Sequence, residues 1–140
     1  EQAEDLLVEG MYKVLTRLKQ YSGQGSFEGW IRRVMVNECL MYLRKNRPLK
    51  VSLDEKPLPL PTPARADEQL LENDILRLLD GLPLGYRTVF NLYVIEGYKH
   101  REIADLLGIS INTSKSQLLL ARKRMQEQIK ARGLAGGREN

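Results

Sequence analysis

HREIADLLGISINTSKSQLLLARKRM, His100 to Met125, is the stretch that decides the fold. Ile103 and Leu107 stand one helical turn apart, and Ala104 between them leaves room for a crossing helix. Gly108 can take the left-handed backbone that ends a helix, and the Ser110 hydroxyl can accept from the free amides that start the next one. The expectation is a helix, a three-residue turn over Gly108-Ile109-Ser110, and a second helix. In that second helix Ile111, Ser114, Leu118, Ala121 and Met125 recur every three or four residues as a buried seam. Asn112, Thr113, Lys115, Ser116, Gln117 and Arg122 are left facing outward, with side chains that can reach bases and phosphates. The spacing is that of a helix-turn-helix whose second helix enters duplex DNA.

A competing reading is an antiparallel helical pair whose basic side chains form a solvated face. Local charge separates the two. Between Lys99 and Arg132 eight basic residues stand against Glu102, Asp105 and Glu127, an excess that favours a polyanionic partner. A second basic block lies upstream, where Arg32, Arg33, Arg44, Lys45, Arg47 and Lys50 are opposed by Glu38 alone. The start of the chain has the other sign, with Glu1, Glu4, Asp5 and Glu9. Two separated basic surfaces suit a protein that grips two stretches of one nucleic acid.

A chain of 140 residues fits one domain or two small ones, and 42% hydrophobic with 29% charged residues is the composition of a soluble globular protein. No apolar run approaches the roughly 20 residues that cross a bilayer, and the acidic start EQAEDLLVEG lacks the basic end of a signal peptide. A cytoplasmic protein is expected. The single cysteine, Cys39, excludes an intrachain disulfide and a multi-cysteine zinc site, and reads as a small core residue. His100 is the only histidine and has no partner at metal-ligand spacing. With no phosphate-cradling glycine loop and no nucleophile–base pair, no catalytic residue, metal or cofactor is assigned.

Five of the six prolines fall between Pro48 and Pro63. Their missing amide donors and fixed φ angles predict an extended, semi-rigid spacer over 47–66 rather than helix, with a disordered connector as the alternative. Before it, Leu7, Met11, Val14, Leu15 and Leu18 form the apolar stripe of a helix ending near Tyr21-Ser22-Gly23. Ser26 then caps a second helix that starts with Phe27 and Trp30-Ile31 and runs to about Arg44. After the spacer, Leu71, Ile75, Leu78, Leu79 and Leu82 mark a helix stopped at Gly81-Leu82-Pro83, and Pro83 opens another that carries Val89, Phe90, Leu92 and Val94 to Gly97. No alternating strand pattern occurs. The expected fold is all-α, with small helical domains over 1–46 and 67–132 and a flexible tail over 133–140.

LPLGYRTVFNLYVIEGYKHREIADLLGISINTSKSQLLLARKRM, residues 82–125, resembles region four of bacterial sigma factors, including the leucine-proline start and the acidic-glycine step before the helix-turn-helix. Upstream, AEDLLVEGMYKVLTRLKQYSGQGSFEGWIRRVMVNECLMYLRKNR is similar to the later part of region two of the same family. It carries the aromatic-x-Gly loop at Tyr21, the Ser26-Phe27-x-x-Trp30 step and the closing Tyr42-Leu43-Arg44. Two ordered matches with no third domain between them resemble the extracytoplasmic-function group of the sigma-70 superfamily. Region two of that family begins with one more helix, so the N-terminus is expected to be cut, with Leu7, Met11 and Ile31 lacking a cover.

The resemblance implies a subunit without catalytic activity that binds RNA polymerase core, positions it on promoters and traps melted DNA. Region two would recognise the −10 element, where positions matching Tyr21, Arg33 and Asn37 hold an unstacked base, joined by Ser26 and by Trp30 in a mixed bracing and core role. An aromatic can stack on an extruded base, an amide can pair with its edge, and arginine can hold phosphates. Region four would enter the major groove at the −35 element through Asn112, Thr113, Lys115, Ser116, Gln117 and Arg122, with His100 and Arg101 near backbone phosphates. Gln117 occupies a frequent arginine position of the family, and glutamine favours adenine where arginine favours guanine. Leu119 and Leu120 stand where relatives are often polar or basic, and are open to thymine methyls, a packed neighbour or an inhibitor protein. Asp5, Leu6, Leu7 and Glu9 are the expected contact with the polymerase β′ coiled coil, although Val8 and Gly10 depart from the family's usual pattern there. Region four would also touch the β flap. An anti-sigma factor is a further expected partner, and no small-molecule substrate is. Two other classes stay open at this level: an autonomous helix-turn-helix regulator, and an interaction module that binds an anti-sigma partner without starting transcription.

Overall fold

A computed structural model describes residues 1–46, 48–54 and 72–131. The chain divides into two compact units, Glu1–Arg47 and Pro48–Asn140, and the described residues form helices and turns with no strand among them.

In the first unit, α1 (Gln2–Thr16) ends in a short 3₁₀ turn over Leu18–Gln20, and α2 (Phe27–Lys45) packs back against it. Glu4 and Asp5 lie in the first turn of α1, where negative charge favours the helix dipole. The expected cap of α2 is present: Ser26 Oγ accepts from the Gly29 N–H at 3.2 Å. Gly23 and Gly25, with φ of 74° and 81°, take the loop between the helices through backbone that other residues avoid.

Of the stripe the sequence suggests, only Val14 lies on the inner face of α1. Gly10 and Val14 are buried and Leu6 is half-buried, whereas Leu7, Met11, Leu15 and Leu18 are exposed, Leu7 at 54%. Both stripes have helical spacing, so periodicity cannot choose between them. Gly10 chooses: without a side chain it lets Met35 of α2 lie where even a methyl group would overlap the thioether. Ile31 is half-buried. Glu38 is buried and accepts from the Lys13 ammonium, an ion pair that joins the two helices. Cys39, read as a core residue, is exposed, because α2 turns Glu38 and Leu40 inward on either side of it.

The second unit contains α3 (Pro48–Asp54), α4 (Glu72–Asp80), α5 (Leu84–Phe90), α6 (His100–Leu107) and α7 (Ile111–Ala131). Its centre is built from Leu78, Val89, Ile103 and Ala121, and Leu79, Leu82 and Tyr86 close over Ala121 with Phe90, Leu120 and Met125 against them. Ile75, expected in the core stripe of α4, is exposed.

Helix α3 corrects the expectation of an extended spacer over residues 48–54. A proline is excluded from a helix interior but not from the first position, where its missing N–H is unneeded. Pro48 takes that position, and no proline follows before Asp54. Leu49, Ser52 and Leu53 then fall on one face and are buried as α3 packs on α5. The rest of the expected spacer, Arg47 and residues 55–66, lies outside the described residues, as does the expected tail.

Helix α5 continues into a π-helical turn over Asn91–Ile95, in which the Glu96 N–H donates to the Asn91 carbonyl at 2.9 Å. Gly97, with φ of 75°, ends it. A π turn rotates the following residues out of the α register. Leu92 therefore stays buried while Val94, expected on the apolar face, is exposed. No described helix is long and apolar enough to cross a membrane.

Candidate nucleic-acid interface

The helix-turn-helix forms as its local signals dictate. Gly108 takes the left-handed conformation, φ 66° and ψ 36°, at the end of α6, and the Ser110 hydroxyl accepts from the Thr113 N–H at 3.0 Å to cap α7. At the other end of α6, Glu102 accepts from the Lys99 N–H at 3.2 Å. Ile103 and Ala104 on α6 are buried, as are Ser114 and Leu118 on α7, and the two helices pack together. Asn112, Lys115, Ser116 and Arg122 stand exposed along α7. Thr113 is half-buried, with its hydroxyl 2.9 Å from that of Ser110, and Ile111, expected in the buried seam, is exposed.

Gln117 does not face outward. It is 5% exposed, and its side-chain amide donates to the Leu53 carbonyl of α3 at 3.4 Å. Three residues after Ser114 and four before Ala121, it lies on their stripe, so its polarity points one way and its position the other. Position wins because α3 offers a carbonyl there. Its side-chain oxygen has no hydrogen-bond partner among the described residues. The adjacent leucines divide: Leu120 packs against the core, while Leu119 is 67% exposed.

His100 and Arg101 open α6 beside this face, Arg101 exposed and His100 half-buried. The His100 ring stacks on Tyr93 with centroids 4.5 Å apart, and its Nδ1 lies 2.8 Å from Ser114 Oγ. The Arg122 guanidinium sits 5.8 Å from the centroid of the same Tyr93 ring. Tyr93 thus supports two basic side chains at once, a role with no local signal in the sequence, since it depends on the π turn that carries it. Burial, then the positive charges of Lys115 and Arg122, hold the His100 pKa below its ordinary value.

A second group of candidates comes together on the first unit. Trp30, Arg33 and Asn37 follow one another at intervals of three and four along α2, which puts them on one face, with Arg33 and Asn37 exposed. Ser26 heads that face, its hydroxyl committed to the cap. The Tyr21 ring lies 5.7 Å from Trp30, and its hydroxyl donates to the Gly25 carbonyl at 2.5 Å. Phe27, the first residue of α2, completes the cluster at 5.3 Å from Tyr21 and stacked 5.9 Å from Trp30. Its three-residue spacing from Trp30 was the available signal. On α1, Asp5, Leu7 and Glu9 are exposed, and Leu6 turns partly inward.

Residues 1–48 match the family described as Sigma-70 region 2, and residues 72–125 match that described as Sigma-70, region 4. The chain belongs to the sigma-70 family. It is a member of the extracytoplasmic-function group and, as a sigma factor, a transcription initiation factor rather than an enzyme. This sigma factor is 27% identical over 129 residues to the RNA polymerase sigma factor SigV of Bacillus subtilis, a match covering 92% of this chain and 76% of that protein. It is 29% identical over 133 residues to the ECF RNA polymerase sigma factor SigE of Mycolicibacterium smegmatis, covering 91% of this chain and 51% of that one. Its fold is similar to that of the sigma factor RpoE from Bartonella quintana, solved in complex with the anti-sigma factor NepR. The TM-score is 0.57 at 23% identity, over 91% of this chain and 80% of that one.

Proposed function

We propose that this sigma factor binds RNA polymerase core and directs it to promoters, the first unit capturing melted −10 DNA and the second reading the −35 element in the major groove. The observation that carries the reading is the exposed face of α7. Asn112, Lys115, Ser116 and Arg122 stand together there on a capped, well-packed helix-turn-helix, with His100 and Arg101 beside them. Cations on such a face neutralise phosphates and release counterions, while short polar side chains meet base edges.

The Tyr21, Phe27 and Trp30 rings supply a stacking surface for an extruded base, each stacked base contributing about 1–3 kcal/mol. Arg33 and Asn37, on the same face of α2 as Trp30, are set to hold the backbone and a base edge. Binding energy of this kind holds the opened strand without chemistry. Exposed Asp5, Leu7 and Glu9, with Leu6, are assigned to the polymerase β′ coiled coil, and the second unit to the β flap. The complex of the Bartonella quintana relative supports an anti-sigma factor as a further partner. These partners place the protein in the cytoplasm.

The test is in vitro transcription by purified core polymerase on a promoter library, with and without the full chain. The expected result is a set of transcripts, present only with the sigma factor, whose templates share two separated elements. Failure to associate with core polymerase would overturn the reading. Selective duplex binding without polymerase would instead indicate an autonomous regulator.

A further inference from the structure

We propose that Leu119 is a specificity-determining residue that reads the C5 methyl group of a thymine in the −35 element, an inference that rests on the assignment of α7 to the major groove. Five residues beyond fully buried Ser114, Leu119 lies about 140° around the helix from it and so projects away from the core. Its neighbours at one helical turn are Lys115, Ser116, Arg122 and Lys123, all exposed. Leu118 and Leu120 on either side turn into the unit, so the exposure of Leu119 does not arise from a loosely packed helix.

A large apolar side chain framed by three cations has a restricted set of matching surfaces. The cations select a polyanion, and an apolar protein surface would have to desolvate them. The major groove offers a surface that is anionic at its walls and apolar at one point on its floor, the thymine methyl. The burial of Gln117 strengthens the assignment, since the glutamine that could have read adenine from this helix is held by α3 instead. Leu119 occupies the centre of the exposed face, on the side of α7 opposite Gln117.

The experiment uses holoenzyme assembled from the full chain and core polymerase, bound to a promoter fragment that this holoenzyme has itself selected from a library. Each −35 thymine is replaced in turn by deoxyuridine, which removes only the methyl group. At one position the replacement should weaken binding about fourfold, the equivalent of about 0.8 kcal/mol for one buried methylene-sized group. Leu119→Ala should weaken binding to the thymine template and bind thymine and uracil templates equally. Equal binding of both templates by the unaltered protein overturns the inference. So does a selected −35 element without thymine, or a Leu119→Ala holoenzyme that still distinguishes the two. An equal loss on both templates assigns Leu119 to a non-specific or protein contact and also overturns it. A holoenzyme that selects no −35 element at all marks the separate failure of the promoter reading.

Discussion

The backbone N–H of Gly85 donates to Ser52 Oγ at 2.6 Å, joining the first turn of α5 to a helix 33 residues earlier in the chain. The approach is close enough that a Cβ on Gly85 would lie 3.1 Å from both the carbonyl carbon and oxygen of Ser52. Backbone cannot yield as a side chain can. Gly85→Ala should therefore push α3 off α5 and destabilise the protein by about 1–3 kcal/mol. Ser52→Ala, which leaves the buried Gly85 N–H without its acceptor, should cost a similar amount. Urea unfolding checks both, and unchanged midpoints would mean that α3 contributes nothing to the second unit.

Gln117→Ala should act on stability and not on promoter choice. It removes a buried hydrogen bond to the Leu53 carbonyl, a loss of about 0.5–1.5 kcal/mol. The −35 sequence selected from a library should stay the same. A shifted base preference would mean that Gln117 leaves its place under α3 when DNA binds.

Glu38 is buried beside Lys13 and depends on it for compensation. Lys13→Met should cost about 1.5–3 kcal/mol by leaving that carboxylate without its ammonium partner. Adding Glu38→Leu should recover most of the loss, because the pair is then replaced by apolar contact. The cycle of single and double variants, read by thermal unfolding, measures the coupling. Additive losses would show that the two side chains act independently.

The depressed pKa of His100 links stability to pH. The folded protein binds this proton less readily than the unfolded chain, whose histidine titrates near 6.5. Above that value both states are neutral there and the group contributes no dependence. As pH falls through 6.5 and on through the lower folded value, the unfolded state gains the proton first and stability declines. His100→Gln should therefore show a smaller drop in Tm between pH 7.5 and pH 5.5 than the unaltered protein. An identical drop would remove His100 as its source.

Asn37→Ala should leave docking of the holoenzyme on duplex promoter almost unchanged and reduce strand opening by about tenfold, the scale of one lost base contact. Phe27→Ala should fall in the same class, through the loss of stacking area beside Tyr21 and Trp30. Permanganate reactivity of unpaired thymines reports opening, and gel retardation of the closed complex reports docking. Equal losses in both assays would place these residues outside the melted-strand site.

Local signals were legible in the sequence wherever a backbone position admits few residue types. Gly108 ends α6, Ser110 and Ser26 cap the helices that follow them, and the helix-turn-helix and its exposed Asn112, Lys115, Ser116 and Arg122 follow from spacing alone. Such signals need nothing beyond the next few residues. What lay beyond reach depended on which surface meets which. Hydrophobic spacing defines the inner face of a helix only to within a neighbouring stripe, so Gly10 and its contact with Met35, not the richer row of Leu7, Met11 and Leu15, set how α1 packs. Proline density obscured α3, whose seven residues gain their stability from burial on α5, and polarity misdirected Gln117, which α3 supplies with an acceptor. The chain itself specified the helices and their ends because caps and turns are satisfied within one turn of backbone. The tertiary structure decided their buried faces, and with them which side chains are left exposed, because burial is settled by the shape and hydrogen-bonding groups of distant partners.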